Sequence, residues 1–306
     1  MSSAGIFNRN ARKLERMVGY LASRGHFRWM DDKTYLKIIF RGHIGKKLDL
    51  KNPRTYSEKL QWLKLFDHNP VYTQLVDKYR VRDFVREKIG DRYLIPLLGV
   101  WNNAEEIEFD KLPDQFVLKC NHDTGSVTVC RNKKEFDIKA AQAKLSQCLE
   151  NGTYWTTREW PYKDVKPCII AEKYMEDNTS HDLRDYKFFC FDGVPKAMFI
   201  ATERLNPDKP TAFDFFDMEF NHLPVKQGHP NADTLPSKPA NFEKMKELAG
   251  MLSEGFAHVR VDLYEINGAV YFGEMTFYHF SGVEPFDPPE WDDIFGSWLE
   301  LPERRQ

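Results

Sequence analysis

A chain of 306 residues, 42% hydrophobic and 14% aromatic, can bury one large core or two to three smaller ones. Its 44 basic residues against 46 acidic ones leave a formal charge of -2, so no global field draws it to nucleic acid or to an anionic membrane. Any anion it binds must be captured by a local site. Five widely spaced cysteines, Cys120, Cys130, Cys148, Cys168 and Cys190, contain no C-x-x-C pair and argue against a disulfide framework or a zinc site.

The first thirty residues interleave Arg9, Arg12, Lys13, Arg16 and Arg24 with apolar positions, which leaves no continuous h-region for a signal peptide. No stretch reaches the roughly 18 apolar residues of a membrane span, so the cytoplasm is the expected address. Arg12, Lys13, Arg16 and Arg24 read as a solvated helical face; contact with a membrane surface or a pathway enzyme is the other reading.

Residues 1–90 are expected to be helical, with Leu14, Met17, Val18 and Leu21, then Leu60, Trp62, Leu63, Leu65 and Phe66, at three-and-four spacing. Thr55 and Glu58 form a capping-box pattern behind Pro53. One further helix is expected over 71–88, stopped by Gly90. Beyond Gly90 the texture changes to short β-type runs at 93–101, 116–120, 127–130, 168–174 and 186–191. Helical spacing returns at 134–149 and 240–252, and Asp192-Gly193 is a hairpin turn signal. The chain is α+β without repeats, divided as 1–90, 91–175 and 176–306.

Residues 257–277 read as a hairpin in which Arg260 and Asp262 on one strand face Glu274 and Thr276 on the other. Loop length decides the chemistry, because a one-residue slip moves a strand's side chains to the opposite face. A two-residue turn at Asn267-Gly268 pairs Asp262 with Gly273 and separates the carboxylates. A three-residue loop including Ala269, or a bulge of equal effect, pairs Asp262 with Glu274 and Arg260 with Thr276. In that register Val261, Leu263, Tyr271 and Met275 form the apolar face, and this segregation favours it. Two carboxylates and a hydroxyl beside an arginine make an oxygen-ligand set suited to magnesium, with Arg260 placed to neutralise a phosphoryl group or an oxyanion. A hairpin carrying only a surface Arg-Asp pair is the plain alternative.

Lys119 lies inside the apolar run 116–120, where a lysine is costly to bury unless paired with an anion. The polar turn that follows, with His122, Gly125 and Ser126, can offer N–H groups and a hydroxyl to phosphate oxygens. A snorkelling lysine before an ordinary turn is the competing explanation. In 169–177 an apolar strand runs out through Glu172, Lys173, Met175 and Asp177; main-chain groups there can read adenine and a carboxylate the ribose hydroxyls. Lys187 opens another apolar strand.

These pieces, in this order, resemble the ATP-grasp superfamily, and more specifically the TupA-like ATP-grasp family, named for a teichuronopeptide biosynthesis protein. The matching stretches are Asn52-Pro53-Arg54-Thr55-Tyr56-Ser57-Glu58-Lys59-Leu60-Gln61-Trp62, Val117-Leu118-Lys119-Cys120-Asn121-His122, Asp185-Tyr186-Lys187-Phe188 and Gly273-Glu274-Met275-Thr276-Phe277. The resemblance implies an ATP-grasp fold in which two α+β subdomains sandwich the nucleotide, preceded by the helical N-terminal region. It implies ATP and Mg2+ as cofactors. Lys78 and Lys119 would then touch phosphates, Glu172, Lys173 and Met175 would frame adenine, and Asp262, Glu274 and Thr276 would be metal ligands. The superfamily commonly has Asn where this chain has Thr276. Arg260 and Lys187 are the catalytic candidates.

The implied reaction transfers the γ-phosphoryl group to a carboxylate, giving an acyl phosphate that an amine attacks. Positioning and charge neutralisation suffice for it, so the absence of a Ser-His-Asp or Cys-His signature is no objection. The expected products are amides between amino acids and uronic acids in cell-surface polysaccharide, with small-molecule or saccharide co-substrates and surface-polysaccharide pathway enzymes as partners. A glycosyltransferase and an ATP-grasp phosphotransferase are the rivals; no D-x-D occurs, though Asp182-Leu183-Arg184-Asp185 and Asp214-Phe215-Phe216-Asp217 come near it. The tract 206–238 is expected to border the acceptor pocket.

Overall fold

The computed structural model describes residues 17–18, 20–21, 24–123, 125–150, 152–178, 184–204 and 208–304. Leu14, Arg9, Arg12, Lys13, Arg16, Thr124, Asp182 and the start of the 206–238 tract therefore lie outside the described residues.

Helix α1 (Asp32–Ile44) starts at Asp31, whose side chain accepts from the Thr34 N–H, and ends at Gly45 in the left-handed region (φ 76). Helix α2 (Tyr56–Phe66) carries the expected capping box: Thr55 accepts from Glu58 N–H, and the Glu58 carboxylate accepts from Thr55 N–H. The single helix expected over 71–88 is instead two, α3 (Val71–Val76) and α4 (Val81–Lys88). The break is chemical. Asp77 is extended, its Oδ1 accepts from the N–H groups of Tyr79 (2.8 Å) and Arg80 (3.1 Å), and the Lys78 N–H donates to Asn121 O at 2.9 Å. These bonds satisfy groups that a continuous helix would have used.

The first sheet is antiparallel, with strands β1 (Leu97–Trp101), β2 (Phe116–Cys120), β3 (Thr128–Cys130) and β4 (Ile169–Lys173) in the order β1-β4-β2-β3. Helix α5 (Ile138–Glu150) covers one face, and Leu145 packs with Phe116, Leu118, Cys120 and Ile169 in a small core. Helix α6 (Tyr154–Thr157) lies between α5 and β4 in sequence. The second sheet holds β5 (Asp185–Phe191), β6 (Val194–Thr202), β7 (Ala212–Asp217), β9 (Val259–Ile266) and β10 (Ala269–Thr276), ordered β10-β9-β5-β6-β7. Strand β8 (Lys226–Gln227) pairs separately with β11 (Phe286–Asp287). The β5–β6 connection is the expected Asp192-Gly193 turn, both residues having positive φ (46 and 78). Within the 206–238 tract, β7 forms the edge strand of this sheet.

Helix α7 (Phe242–Ser253) lies against the second sheet through Phe242, Met245, Leu248 and Leu252. Helices α2 and α8 (Glu290–Trp298) meet under it, where Gly296 lets the chains approach closely: a Cβ there would come within 2.4 Å of Arg54 O. Tyr56 of α2 packs edge-on against Phe189, His258 and Phe295, with ring centroids 6.3, 5.2 and 5.7 Å away. The N-terminal helices thus share one core with the second sheet. The two sheets in turn enclose a cavity of about 540 Å³, walled by β2–β3 and the end of β4 on one side and by Tyr264, Phe272 and Gly273 on the other.

His258 ties these layers together. Its Nδ1 lies 2.9 Å from Cys190 O, and the Tyr56 hydroxyl lies 2.8 Å from its Nε2. A carbonyl can only accept, so Nδ1 carries the proton and Nε2 accepts from the tyrosine. Burial pushes this imidazole down to about 3, well below its ordinary value. An unfolded histidine takes up a proton as pH falls through about 6.5, and the folded one does not until much lower. Unfolding therefore binds a proton in this window, and stability falls with falling pH by about 1.4 kcal/mol per pH unit for each such proton. Urea denaturation from pH 7 to pH 5 is expected to give a slope shallower by about one proton in His258→Gln than in the parent. Identical slopes would refute the neutral, buried assignment.

Candidate active site

The β9–β10 hairpin turns through two residues, Asn267 (φ 52) and Gly268 (φ 78), which both take the left-handed conformation this tight turn requires. The three-residue loop is therefore not what forms. Regular pairing runs from Ile266↔Ala269 to Leu263↔Phe272, and then Gly273 is left unpaired as a bulge. Beyond it the partners are Asp262↔Glu274, Val261↔Met275 and Arg260↔Thr276. The bulge supplies the parity that the loop does not. One consequence corrects the expected apolar face: Tyr271 sits opposite Tyr264 on the other side, and Val270 and Phe272, 6% and 5% exposed, take core positions.

Gly273 is favoured by close approach rather than by φ. A Cβ there would lie 3.0 Å from Asp262 O and 3.1 Å from Cε2 of Tyr264. Both neighbours are themselves anchored in the sheet.

Arg260 is the hub of the resulting face. Its Nε and Nη2 each lie 2.7 Å from one oxygen of Asp262, a bidentate pair, and Nη2 also reaches Thr276 Oγ1 (3.0 Å) and Glu274 Oε1 (3.3 Å). Nη1 donates to His279 Nδ1 at 2.5 Å. That imidazole is neutral, because burial and the charges of Arg260 and Lys187 hold its pKa well below the ordinary value. Lys187, the cross-strand partner of Asp262, donates to Asp262 Oδ2 and lies 3.2 Å from Asp185, which also binds Arg204. Burial raises the Asp262 carboxyl, against the pull of Arg260 and Lys187. Glu274 behaves oppositely: burial opposes its ionisation, yet Lys78, Lys187 and Arg260 bring it down to about 2.

Two carboxylates and a hydroxyl on one face suit magnesium, whose remaining ligands are waters and phosphate oxygens. Asp262 has both oxygens engaged by cations and is 1% exposed, whereas the Glu274 side chain is 32% exposed and is the open member. Among the described residues no group of three or more His, Cys, Asp or Glu could hold a metal by itself. The donor set thus fits a magnesium ion delivered with phosphate better than a resident metal.

Lys78 is not on the solvated face of a helix. It sits in the α3–α4 break, its Nζ donates to Asp123 O at 2.5 Å, and it lies 4.0 Å from Glu274 Oε2. Burial lowers its pKa. Lys119 faces the inter-sheet cavity, 2.6 Å from Glu172 Oε2. The other Glu172 oxygen accepts from Arg82 Nη1 at 3.2 Å, and Arg82 Nη2 donates to Ile95 O at 2.8 Å. Sequence reasoning missed Arg82; its signal was a charged residue between Val81 and Val85 on the buried side of α4.

Lys173 and Met175 also line the cavity, and the Lys173 N–H donates to Pro96 O at 2.9 Å. Other expected residues are spent elsewhere. Asp177 accepts from Asn267 N–H at 2.9 Å and so ties the segment after β4 to the β9–β10 turn. Ser126 accepts from Cys120 N–H at 2.7 Å and donates to Asp123, closing its own turn. His122 is buried beside Asn121, Gly125 is exposed, and none of these four is among the residues lining the cavity.

Because a Cβ at Gly273 would press on Asp262 O and the Tyr264 ring, Gly273→Ala is expected to cost about 1–3 kcal/mol in urea denaturation, as overpacking does. A variant as stable as the parent would show that the bulge tolerates a side chain.

No curated protein matches the chain. Among solved structures, a D-alanine–D-alanine ligase from Bacillus anthracis complexed with ATP is 14% identical, with 72% of this chain and 55% of that chain covered and a TM-score of 0.38. A D-alanine–D-alanine ligase from Helicobacter pylori is 13% identical, with 79% and 62% covered and a TM-score of 0.39. A D-cycloserine synthetase is 16% identical, with 75% and 71% covered and a TM-score of 0.42. The chain thus spans about 55% of the length of the first ligase. The family model for TupA-like ATP-grasp proteins matches residues 58–300, and the chain belongs to that family.

Proposed function

We propose that this protein is an ATP-dependent carboxylate–amine ligase that works through an acyl phosphate, with Mg-ATP held between subdomains 91–175 and 176–306. The observation that carries the reading is the convergence of Arg260, Asp262, Glu274 and Thr276 on one face, joined by Lys187 and by Lys78 from the helical break. Lys119 reaches into the adjoining cavity, where Glu172, Lys173 and Met175 surround space for a base.

In this reading Asp262, Glu274 and Thr276 hold the magnesium ion, which neutralises phosphate oxygens when bound. Lys78 and Lys119 bind phosphate oxygens as point charges. Arg260 and Lys187 face the transferring phosphoryl group and offset the charge that develops on it. Val117, Val127 and Phe272 give the same cavity apolar surface against which a base would lie. The acceptor is a uronic acid carboxylate and the nucleophile an amino-acid amine, in the cytoplasmic assembly of cell-surface polysaccharide alongside other enzymes of that pathway. This last assignment rests on the family alone.

An ADP-release screen across amino acids and uronic acids with Mg-ATP tests the proposal. Turnover is expected with a carboxylate–amine pair, and Asp262→Asn or Glu274→Gln should lower kcat by about a hundredfold or more, the scale of losing one transition-state stabiliser. Lys119→Met should raise the KM for ATP more than it lowers kcat. Turnover with sugar hydroxyls but no carboxylate would make the protein a phosphotransferase. Thermal stabilisation by UDP-sugars and none by Mg-ATP would replace the ligase with a glycosyltransferase.

A further inference from the structure

Glu172 stands between two cavities. On one side its Oε2 meets Lys119 in the inter-sheet cavity; on the other its Oε1 meets Arg82, which lines a second cavity of about 510 Å³. That second cavity gathers Arg82, Arg86 and Arg92 with Lys173 around a single carboxylate, Asp91. Asp91 is already taken, since Arg86 Nε donates to it at 3.1 Å, and Arg86 is further held by Asp83 at 2.7 Å. Neither Arg92 nor Lys173 has a carboxylate within ion-pairing distance among the described residues; Arg92 donates only to the Tyr93 hydroxyl, at 2.8 Å. Like charges gathered in a concavity repel one another and raise the local concentration of anions.

The rest of the wall is not that of a bare phosphate site. Leu94 and Met175 form apolar surface, and the Tyr271 hydroxyl projects with no protein hydrogen-bond partner among the described residues. Tyr271 is there because the two-residue turn pairs it with Tyr264, on the face opposite the core. Its strand belongs to the second sheet, whereas Leu97 opens β1 and Lys173 ends β4 in the first, so an occupant would touch both sheets at once.

We infer that this second cavity is an effector site for a small phosphorylated metabolite, whose anionic group is taken by Arg92, Lys173 and Arg82 and whose organic part lies against Leu94, Met175 and Tyr271. An anion there competes with Glu172 for Arg82 and leaves the carboxylate to Lys119 alone. Lys173 and Met175 line both cavities, so occupancy of one changes the walls of the other. Binding at the two is therefore coupled, and by linkage the coupling is reciprocal. The site stands on its own charges; the coupling rests on reading the inter-sheet cavity as the nucleotide site.

The test uses the full chain and inorganic pyrophosphate in magnesium-free buffer, read by calorimetry and by melting temperature, with sodium chloride at matched ionic strength as control. Pyrophosphate is expected to bind and stabilise the parent and Lys119→Met alike. Arg92→Ser, at an exposed position outside the nucleotide cavity, should weaken that binding about ten-fold, the worth of one charge-assisted hydrogen bond. A fluorescent ADP analogue should then change affinity by about five-fold or more on adding pyrophosphate, the low end of allosteric coupling, and Arg92→Ser should remove the effect. Pyrophosphate binding that survives Arg92→Ser and disappears in Lys119→Met would overturn the inference, as would equal stabilisation by sodium chloride. ADP binding that ignores pyrophosphate bound through Arg92 would overturn the coupling. Failure of the parent to bind ADP at all, with the Arg92-dependent pyrophosphate site intact, would sink the nucleotide reading and leave the site standing.

Discussion

The register of one hairpin governs the chemistry of this protein. Four polar side chains, Arg260, Asp262, Glu274 and Thr276, must share a face while Val261, Leu263, Phe272 and Met275 enter the core, and a two-residue turn with regular pairing cannot satisfy both. The unpaired Gly273 resolves the conflict by shifting β10 by one residue between Phe272 and Glu274. Apolar burial holds the register from the inside, because slippage would put Met275 into the polar cluster and Glu274 into the core. The two-residue turn pairs Tyr271 with Tyr264 and so delivers it to the second cavity, while the bulge beyond it sets the polar face of Glu274.

Burying this much charge is tolerable only because the charges are paired. Arg260 is 7% exposed and Asp262 1%, yet each nitrogen of the guanidinium meets an oxygen or the neutral His279 ring. Removing one partner of such a cluster leaves an uncompensated buried ion, which costs several times what the pair contributes. The same arrangement explains why Glu274, rather than Asp262, faces outward. Asp262 accepts from both Arg260 and Lys187, whereas Glu274 meets Arg260 at 3.3 Å and Lys78 at 4.0 Å and keeps an accessible carboxylate. The cluster is therefore poised to exchange ion pairs for a magnesium phosphate.

Support for this face comes from far away in the chain. Tyr56 anchors α2 to His258, two residues before Arg260 in the chain, and Lys64 on the same helix donates to Ser281 O (2.8 Å) and Thr157 O (3.0 Å). Ser281 follows Phe280 in the left-handed region, with φ of 55 and 46, a strained pair that persists because its carbonyl and hydroxyl are held by Lys64. His279, which meets Arg260, begins this segment. The N-terminal helices are in this sense the back wall of the site.

Local chemistry was readable without coordinates wherever it depended on neighbours in the chain. The Thr55–Glu58 capping box, the Asp192-Gly193 turn and the apolar strands all follow from short-range rules. Side-chain periodicity also made the shared face of Asp262 and Glu274 legible as a condition, since alternation allows only two answers. Choosing between a longer loop and a bulge needed the tertiary structure, because Gly273 is set by the approach of Asp262 O and the Tyr264 ring. The break that turns Lys78 inward likewise depends on a bond to Asn121, 43 residues away by the numbering of the two partners. Arg82, Asp177 and Ser126 were misjudged or missed because their partners, Glu172, Asn267 and Cys120, come from strand ends and turns brought together only by folding. A sequence states which groups can pair; the packing of two sheets decides which of them do, since only burial makes an unpaired charge too costly to keep.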